Sequence, residues 1–339
     1  MKKVLVWLLA GLCAVAAIWG GTALYKAWYD RKVPNFSGDL DLYVYPWMDA
    51  QAVRDSILAS GTVKSAASLD RVLKDISTIE TGHYRIDGSC SSIYVARMLH
   101  KGWQTPVNLT LSGSIKTPGA LARKIGSQML ADSVEVARFL LSRDSLARYG
   151  TEPRQLFTLV IPDTYQMQWT ASVREIMDRL VKESAAWWTP ERRESARAQG
   201  LTPQEVCVLA SIVDGESRYE PELPKIAGVY LNRLRIGMPL QADPTIAYIF
   251  DYKLRRILHS HLAVDSPYNT YKYVGLPPGP ISCPPKSCLE AVLHPDSHNY
   301  LYFCADPSFN GSHRFAASYT EHLANARAYQ RALNERQTQ

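Results

Sequence analysis

The feature that most constrains this chain is an uncharged, mostly apolar run from Val4 to Tyr25. A helix needs about 20 consecutive apolar residues to cross the hydrocarbon core of a membrane. The run reaches that length, so the sequence predicts a single transmembrane helix over residues 4–25, after a short N-terminus of residues 1–3. The globular part of the chain is then expected to follow the anchor.

A cleaved signal peptide is the alternative explanation of this run, with Lys2 and Lys3 as its basic start and small residues at 14–16 as its cleavage site. We favour an anchor because the run continues past that site to Trp19 and Tyr25, and such aromatic residues are typical of membrane interfaces. Basic residues flank the run on both sides, so charge alone leaves its orientation open.

Length and composition narrow the function classes. A chain of 339 residues has room for about two folded units. Hydrophobic residues make up 46% and charged residues 21%, which predicts a packed core and excludes a disordered or fibrous protein. Lys and Arg (38) are nearly matched by Asp and Glu (32) and are scattered, so nucleic acid is not an expected partner.

Three segments are expected after the anchor, and together they predict an α+β fold class. Residues 26–40 are polar and predict a tether between membrane and domain. Residues 41–112 carry short strand and helix signals, including the helix cap Asp49, and predict a small mixed α/β unit. Residues 113–339 predict a larger mixed α+β domain, with several helix starts, two strands and a proline-rich loop.

The cysteines leave two alternatives open. If this part of the chain is exported, a pair among Cys283, Cys288 and Cys304 could be oxidised, although spacing does not fix the pairing. A zinc site would combine Cys283 and Cys288 with His294 and His298, but the gap between the two pairs is far shorter than in zinc fingers. We therefore predict no metal, and without a phosphate-binding glycine loop we predict no cofactor.

The clearest helix start lies at Thr202, where Thr202-Pro203-Gln204-Glu205 forms a capping box with proline at the first helical position. Apolar residues then recur at helical spacing, which predicts one buried face. Glu216 falls on the flank of that face, in the last turn. Asp214 points to the other flank and is expected at the surface.

The position of Glu216 predicts a carboxyl group with a raised pKa. Partial burial disfavours the carboxylate, and the negative end of the helix dipole acts in the same direction. A carboxyl group protonated near neutral pH is what cleavage of a glycosidic bond needs, because the leaving oxygen must be protonated. The alternative is an ordinary solvated glutamate near a helix end.

The turn-rich stretch from Tyr268 to Tyr271 combines aromatic faces with amide and hydroxyl groups. Such groups suit sugar binding by stacking and hydrogen bonding, and ordinary loop packing is the alternative.

Six segments carry a family resemblance, in this order: Leu209–Ser217, Ala227–Leu234, Gly237–Thr245, Ser266–Tyr271, Gly275–Gly279 and Tyr300–Phe303. In order and spacing they resemble the endolytic murein transglycosylase family, also called MltG or YceG-like. Further upstream, Gly82–Arg85 and the following helix resemble the family's LysM-like domain, so that residues 41–112 are expected to be LysM-like and residues 113–339 to be the YceG-like catalytic domain. Ile161–Tyr165 resembles the family's link into that domain.

The resemblance implies an endolytic lytic transglycosylase. Members cleave the β-1,4 bond between N-acetylmuramic acid and N-acetylglucosamine in nascent peptidoglycan strands and leave a 1,6-anhydromuramoyl end. Their essential acid corresponds to Glu216, which would act as acid and then as base. The positions expected to line the glycan groove are Asn232, Gln241, Asp243, Thr245, Tyr268, Asn269 and Tyr271.

The resemblance also implies a location and partners. The chain is expected in the cytoplasmic membrane as a single-pass protein, with residues 1–3 in the cytoplasm and the catalytic domain on the extracytoplasmic side. The expected partners are peptidoglycan glycan strands, with peptidoglycan synthases at the membrane as a further suggestion.

Two departures and two rival functions stay open at this point. Gly215 stands where many relatives have Lys or Glu, and glycine costs ~1 kcal/mol of helix propensity relative to alanine, so the helix could end before Glu216. Cys283 and Cys288 fall in a loop where the family has no expected cysteines. A hydrolytic muramidase would use Asp243 as a second carboxylate. A non-enzymatic wall-binding protein would need only the LysM-like unit.

Overall fold

The computed structural model describes residues 2–338 and divides the chain into two compact units. Unit 1 contains the chain up to Asn108 together with Gln166–Ala171, and unit 2 contains Leu109–Tyr165 together with the chain from Ser172 onward. Both helices and strands are present, so the fold is mixed α+β as predicted.

The N-terminal part of the chain, up to residue 101, forms four helices and two strands, in this order: α1 (Lys2–Lys32), β1 (Leu40–Val44), α2 (Ala50–Ala59), α3 (Ala66–Lys74), β2 (Gly82–Ile86) and α4 (Ser92–Lys101). Strands β1 and β2 pair antiparallel, from Leu40 opposite Ile86 to Val44 opposite Gly82. The predicted cap Asp49 accepts a hydrogen bond from the N–H of Ala52 at the start of α2. Apolar side chains of both strands and of α2, α3 and α4 form the core of unit 1.

Within helix α1, the span Lys3–Lys32 contains an 18-residue window with a mean hydropathy of 2.2, and it is long and apolar enough to cross a membrane. The helix extends beyond the predicted end at residue 25. Near its C-terminal end, Asp30 is buried and accepts hydrogen bonds from the Ser68 hydroxyl (2.6 Å) and the Arg71 guanidinium (2.6 and 2.9 Å), both on α3. These bonds fix the last turns of α1 to the rest of unit 1.

The segment predicted as a tether is therefore corrected. Residues 26–32 are helical, and Asn35 and Phe36 are completely buried. The Asn35 side chain donates to the Ser92 hydroxyl (2.8 Å) and to the Ser65 carbonyl (3.0 Å). The polar composition of this segment reflects hydrogen bonds within unit 1, because each buried polar group there has a partner.

From residue 107 onward the described residues form four strands, ten α-helices and three short 3₁₀ helices. The strands and α-helices follow in this order: β3 (Val107–Thr110), α5 (Pro118–Gly126), α6 (Ser133–Leu141), α7 (Arg143–Ala147), β4 (Thr164–Met167), α8 (Val173–Trp187), α9 (Pro190–Ala198), α10 (Pro203–Glu216), α11 (Leu223–Arg235), α12 (Asp243–Ile249), α13 (Lys286–Leu293), β5 (Tyr302–Ala305), β6 (His313–Ala316) and α14 (Tyr319–Thr338). Strands β3 and β4 pair with each other, and β5 pairs antiparallel with β6.

Helix α10 is the centre of unit 2. Every residue from Val206 to Val213 is buried, and α11, α12 and α13 pack against it. The sequence predicts one apolar face, and the structure corrects this: the helix is enclosed by neighbours on all sides over this stretch. Even the Ser211 hydroxyl is satisfied inside the core, since it donates to the Val208 carbonyl (2.7 Å) and accepts from the Ile281 N–H (3.0 Å).

Candidate functional site

Glu216 is the last residue of α10. The predicted capping box is present at the other end of the helix, where the Thr202 hydroxyl accepts from the Glu205 N–H and the Glu205 carboxylate accepts from the Thr202 N–H. Gly215 does not end the helix early. A Cβ atom added at Gly215 would lie 2.5 Å from the Pro244 Cβ, so glycine allows α12 to approach α10 closely beside Glu216.

The Glu216 carboxyl group has one close hydrogen-bond partner, the hydroxyl of Tyr230 on α11, which donates to Oε1 at 2.5 Å. Tyr230 is itself buried, and Glu216 is half-buried. Burial raises the pKa of Glu216 to about 7, and the negative charge of Asp243 acts in the same direction. The Tyr230 hydrogen bond and the positive charge of Arg233 partly oppose that rise. The prediction of a raised pKa thus agrees with the geometry.

Arg233 lies one turn beyond Tyr230 on α11 and is buried. Its guanidinium donates to the carbonyls of Leu301 (2.7 Å) and Leu240 (2.6 Å), and it forms no ion pair with a carboxylate among the described residues. Burial lowers the pKa of Arg233. This cation joins two backbone segments and contributes a fixed positive potential near Glu216.

Asp243 and Tyr271 form a second carboxyl–phenol pair in the same region, with the Tyr271 hydroxyl donating to Asp243 Oδ1 at 2.5 Å. Asp243 is the first residue of α12, Ala242 occupies the cap position, and no side-chain hydrogen bond caps the helix. Burial raises the pKa of Tyr271, with the Asp243 hydrogen bond and the nearby Glu216 as further causes.

Three of the predicted groove residues hydrogen-bond to backbone carbonyls. Asn232 donates to the carbonyls of His298 (2.9 Å) and Tyr300 (3.0 Å). Asn269 is completely buried and donates to two carbonyls of the preceding loop, and Thr245 is completely buried and donates to the carbonyl three residues before it. These side chains hold loops in place, and those of Thr245 and Asn269 are closed off from solvent.

The two other predicted groove residues differ from each other. Gln241 has an exposed side chain and a left-handed backbone (φ 51°), and its N–H donates to the Thr270 carbonyl at 2.9 Å. Tyr268 is buried, its ring packs 4.6 Å from that of Tyr248, and its hydroxyl has no hydrogen-bond partner in the described part of the chain. The structure thus brings only Asp243 and Tyr271, of the seven predicted groove positions, into the electrostatic surroundings of Glu216.

Two cavities share Glu216, Ser217 and Arg218 in their walls. The first has a volume of about 680 Å³ and extends toward Lys116 and Asp214. The second has a volume of about 670 Å³ and continues toward other residues of unit 2: Asp306, Phe309, His313, Tyr329 and Arg336. Glu216 therefore has open space on two sides. Neither cavity wall includes any of the seven predicted groove residues.

Sequence reasoning missed several residues of this site. The pattern assigns Tyr230 to an apolar helix face, and nothing in the spacing indicates that its hydroxyl meets Glu216. Asp214 is predicted at the surface, which the structure corrects: it is half-buried, its carboxylate accepts from the Ser282 hydroxyl (3.0 Å), and burial raises its pKa. A basic residue two positions after the acid, Arg218, is the one sequence signal that could have pointed to the shared cavity wall.

The cysteine alternatives find no support in the arrangement of the described residues. Cys283 and Cys288 are buried free thiols, and the Cys283 thiol faces the Val160 carbonyl at 3.3 Å. His298 contacts the Lys225 carbonyl through Nε2. Over residues 2–338, no group of three His, Cys, Asp or Glu side chains is placed to hold a metal ion.

Most of the chain is similar to proteins of one family. Residues 42–328 match the model of the YceG-like family. An endolytic murein transglycosylase of Bacillus subtilis (strain 168) is 36% identical over 165 residues, which is 49% of this chain and 45% of that protein. The protein of the same name from Streptococcus pneumoniae serotype 2 (strain D39) is 27% identical over 295 residues, covering 76% of this chain and 52% of that protein. The chain thus spans about half the length of the curated relatives it matches.

A crystal structure of a YceG-like protein from Listeria monocytogenes superposes with a TM-score of 0.56 at 23% sequence identity. The match covers 85% of this chain and 99% of that chain. At this level of identity the likeness concerns the fold alone.

Proposed function

The chain belongs to the YceG-like family, and from this premise we propose that it is an endolytic peptidoglycan lytic transglycosylase. It would cleave the β-1,4 bond between N-acetylmuramic acid and N-acetylglucosamine and leave a 1,6-anhydromuramoyl end. The observation that carries the proposal is Glu216, whose half-buried carboxyl group has a pKa of about 7 and lies where two cavities meet. The names of the relatives from Bacillus and Streptococcus support the same activity.

In the first step Glu216 acts as the general acid. At neutral pH a large share of its carboxyl groups carry a proton, and the proton passes to the glycosidic oxygen as the bond to the anomeric carbon breaks. Because the Tyr230 hydroxyl occupies Oε1, Oε2 is the oxygen left to carry that proton. Tyr230 thereby orients the acid, and Arg233 limits the rise of its pKa.

In the second step the same carboxylate acts as the base. It removes the proton from the muramoyl 6-hydroxyl, whose oxygen then bonds to the anomeric carbon and closes the 1,6-anhydro ring. Glu216 ends protonated, as it began, and no water is consumed. A pKa near the working pH suits both directions of transfer.

The two cavities support cleavage within a strand, because a glycan bound across Glu216 would find space on both sides of the acid. We propose that substrate contacts come from the walls of these cavities together with Asp243 and Tyr271. The other predicted groove positions would act indirectly, by holding the conformation of the loops that carry them. They are Asn232, Gln241, Thr245, Tyr268 and Asn269.

For its place in the cell, we propose that α1 anchors the chain as a single-pass protein in the cytoplasmic membrane, with unit 2 on the extracytoplasmic side, where the proposed substrate is. The length and hydropathy of α1 support the anchor. We retain the LysM-like assignment of residues 41–112 and the suggestion of peptidoglycan synthases as partners as parts of this proposal.

A hydrolytic muramidase is the second candidate, since Asp243 is near enough for its charge to raise the pKa of Glu216. In that mechanism Asp243 would activate water or form a covalent intermediate, and the product would be a reducing end. The first candidate is favoured because Asp243 already accepts a hydrogen bond from Tyr271.

Mass spectrometry of products separates the candidates. Purified uncrosslinked glycan strands are digested with the full chain in detergent and with the Glu216→Gln variant. Anhydromuramoyl ends from the wild type and none from the variant are expected. Reducing ends would establish the muramidase, and absence of any cleavage by the folded wild type would favour a wall-binding protein.

A further inference from the structure

Two arginines lie in the wall of the second cavity beside Glu216. Arg218 and Arg336 both line it, and neither forms an ion pair with a carboxylate in the described part of the chain. The Arg336 guanidinium lies 5.0 Å from the centre of the Phe309 ring, a cation–π arrangement that holds it at the wall. Two cations therefore face one concave space.

The other charged groups of this cavity already have partners. Asp306 pairs with Arg314 at 2.8 Å, and hydrogen bonds from Ser308 and that pairing hold the pKa of Asp306 at about 2. The His313 side chain contacts the buried Glu222 carboxylate at 2.9 Å. Glu216 also lines this cavity, and its carboxyl group is partly uncharged at neutral pH. The two arginines therefore outnumber the carboxylates of the wall that are left to pair with them, and an added anion could bind there.

The size and lining of the cavity indicate which anion would fit. Its volume of about 670 Å³ is far larger than a single carboxylate requires. Besides the arginines, its wall presents the rings of Tyr219, Phe309 and Tyr329, which can pack against the apolar atoms of a ligand. Guanidinium groups bind carboxylates through paired, charge-assisted hydrogen bonds. A peptide that ends in or carries carboxylates matches these groups.

We propose that this cavity is a carboxylate subsite, in which Arg218 and Arg336 bind the acidic peptide that the muramoyl residue of the substrate carries. The inference rests on the proposed function and identifies the part of the substrate that binds beside Glu216. Arg218 lies two residues beyond Glu216, so a carboxylate bound there would fix the strand relative to the acid. The lactyl carboxylate of a muramoyl residue without its peptide is the other source of the same chemistry.

The test uses the full chain in detergent and two substrates, glycan strands with their peptides and the same strands after an amidase has removed them. Arg218→Gln, Arg336→Gln and Arg218→Lys are compared with wild type, and Arg138→Gln is the matched control. Arg138 is an exposed arginine of α6 that lines neither cavity. Binding of labelled strands is measured in parallel in the Glu216→Gln background, which keeps the substrate intact.

With peptide-bearing strands, each Arg→Gln change is expected to raise KM about 5- to 10-fold with little change in kcat, and Arg218→Lys to recover part of the loss. A loss confined to peptide-bearing strands assigns the peptide carboxylate. A loss confined to the stripped strands, which alone carry a free lactyl carboxylate, assigns that group and overturns the peptide. Values matching Arg138→Gln on both substrates would overturn the subsite. If the wild type fails to cleave but the binding loss persists, the proposed function fails and the subsite stands.

Discussion

Glu216 and Glu222 are two glutamates of unit 2, six positions apart in the chain, and they have opposite surroundings. Glu222 is buried and accepts three hydrogen bonds from His313: two from its backbone N–H, at 3.0 and 3.1 Å, and one at the ring, at 2.9 Å. Glu216 has a single close donor, the neutral hydroxyl of Tyr230.

The difference in hydrogen-bond partners gives the two carboxyl groups different roles within one fold. The Glu222 carboxylate, which accepts from the backbone N–H of His313, fastens β6 to the start of α11. A carboxyl group that is buried with few donors keeps its proton to higher pH, and such a group can give the proton to a substrate. Burial raises the pKa of Glu216 and the hydrogen bond from Tyr230 only partly opposes that rise, whereas the hydrogen bonds of Glu222 give it a structural role.

The largest expected effect is on the cleavage rate, which should fall much further for Glu216→Gln than for Glu222→Gln. Glu216→Gln is expected to lower the cleavage rate by about 10³-fold or more, because glutamine can neither donate the proton nor accept it. Glu222→Gln should keep a rate within a few-fold of wild type. Rates are measured as anhydro ends released per minute. Comparable losses of cleavage rate in both variants would show that the two glutamates do not have the different roles proposed.

The free energy of unfolding should fall for Glu222→Gln and not for Glu216→Gln, the reverse of the order expected for the cleavage rate. Glu222→Gln replaces an acceptor oxygen by an NH₂ group that faces the His313 donors, so the free energy of unfolding should fall by about 1–3 kcal/mol. Urea denaturation followed by a probe in unit 2 measures this loss. Glu216→Gln serves as the control and should not be destabilised at neutral pH. An unchanged midpoint for Glu222→Gln would show that its hydrogen bonds are not stabilising.

The pH dependence of stability sharpens the comparison further. Since the pKa of Glu216 rises from 4.5 to about 7 on folding, the folded chain binds an extra proton between these values. The stabilisation from that proton is complete below about pH 4.5 and is lost as the pH rises through 7. Glu216→Gln should therefore gain about 1–2 kcal/mol relative to wild type between pH 5 and pH 8. A constant difference across this range would contradict the raised pKa.

The smallest expected effect concerns the partner of the acid. Tyr230→Phe removes the hydrogen bond that lowers the pKa of Glu216, so the pKa should rise further and the alkaline limb of the rate profile should move to higher pH. A several-fold fall in kcat is expected as well, because the acid loses its orientation. The full pH profile of kcat/KM measures both. A limb that moves to lower pH would mean that Tyr230 acts in another way.

Local signals account for what the sequence predicted well. The capping box at Thr202, the Asp49 cap and the position of Glu216 in the last turn of its helix each depend on residues close together in the chain, and the structure contains all three. Such features follow from backbone hydrogen bonding and side-chain periodicity, which a sequence displays directly.

Contacts between segments that are distant in the chain account for the features that the sequence did not predict. Tyr230 meets Glu216 only because α11 packs on α10, and Gly215 is required only because Pro244 approaches it. Asn232 and Asn269 were expected to face the substrate, yet their amides satisfy loop carbonyls. A polar side chain in a turn-rich segment suits either role, and periodicity carries no information to separate them.

The most direct test of the account is the pKa of Glu216 itself. Infrared difference spectra between wild type and Glu216→Gln isolate the carboxyl band of this residue as the pH is varied. We expect a protonated C=O band that is present at pH 6 and disappears with a midpoint near 7. A midpoint near 4.5, the value of an ordinary glutamate, would contradict the claim that this side chain holds its proton for the glycosidic oxygen.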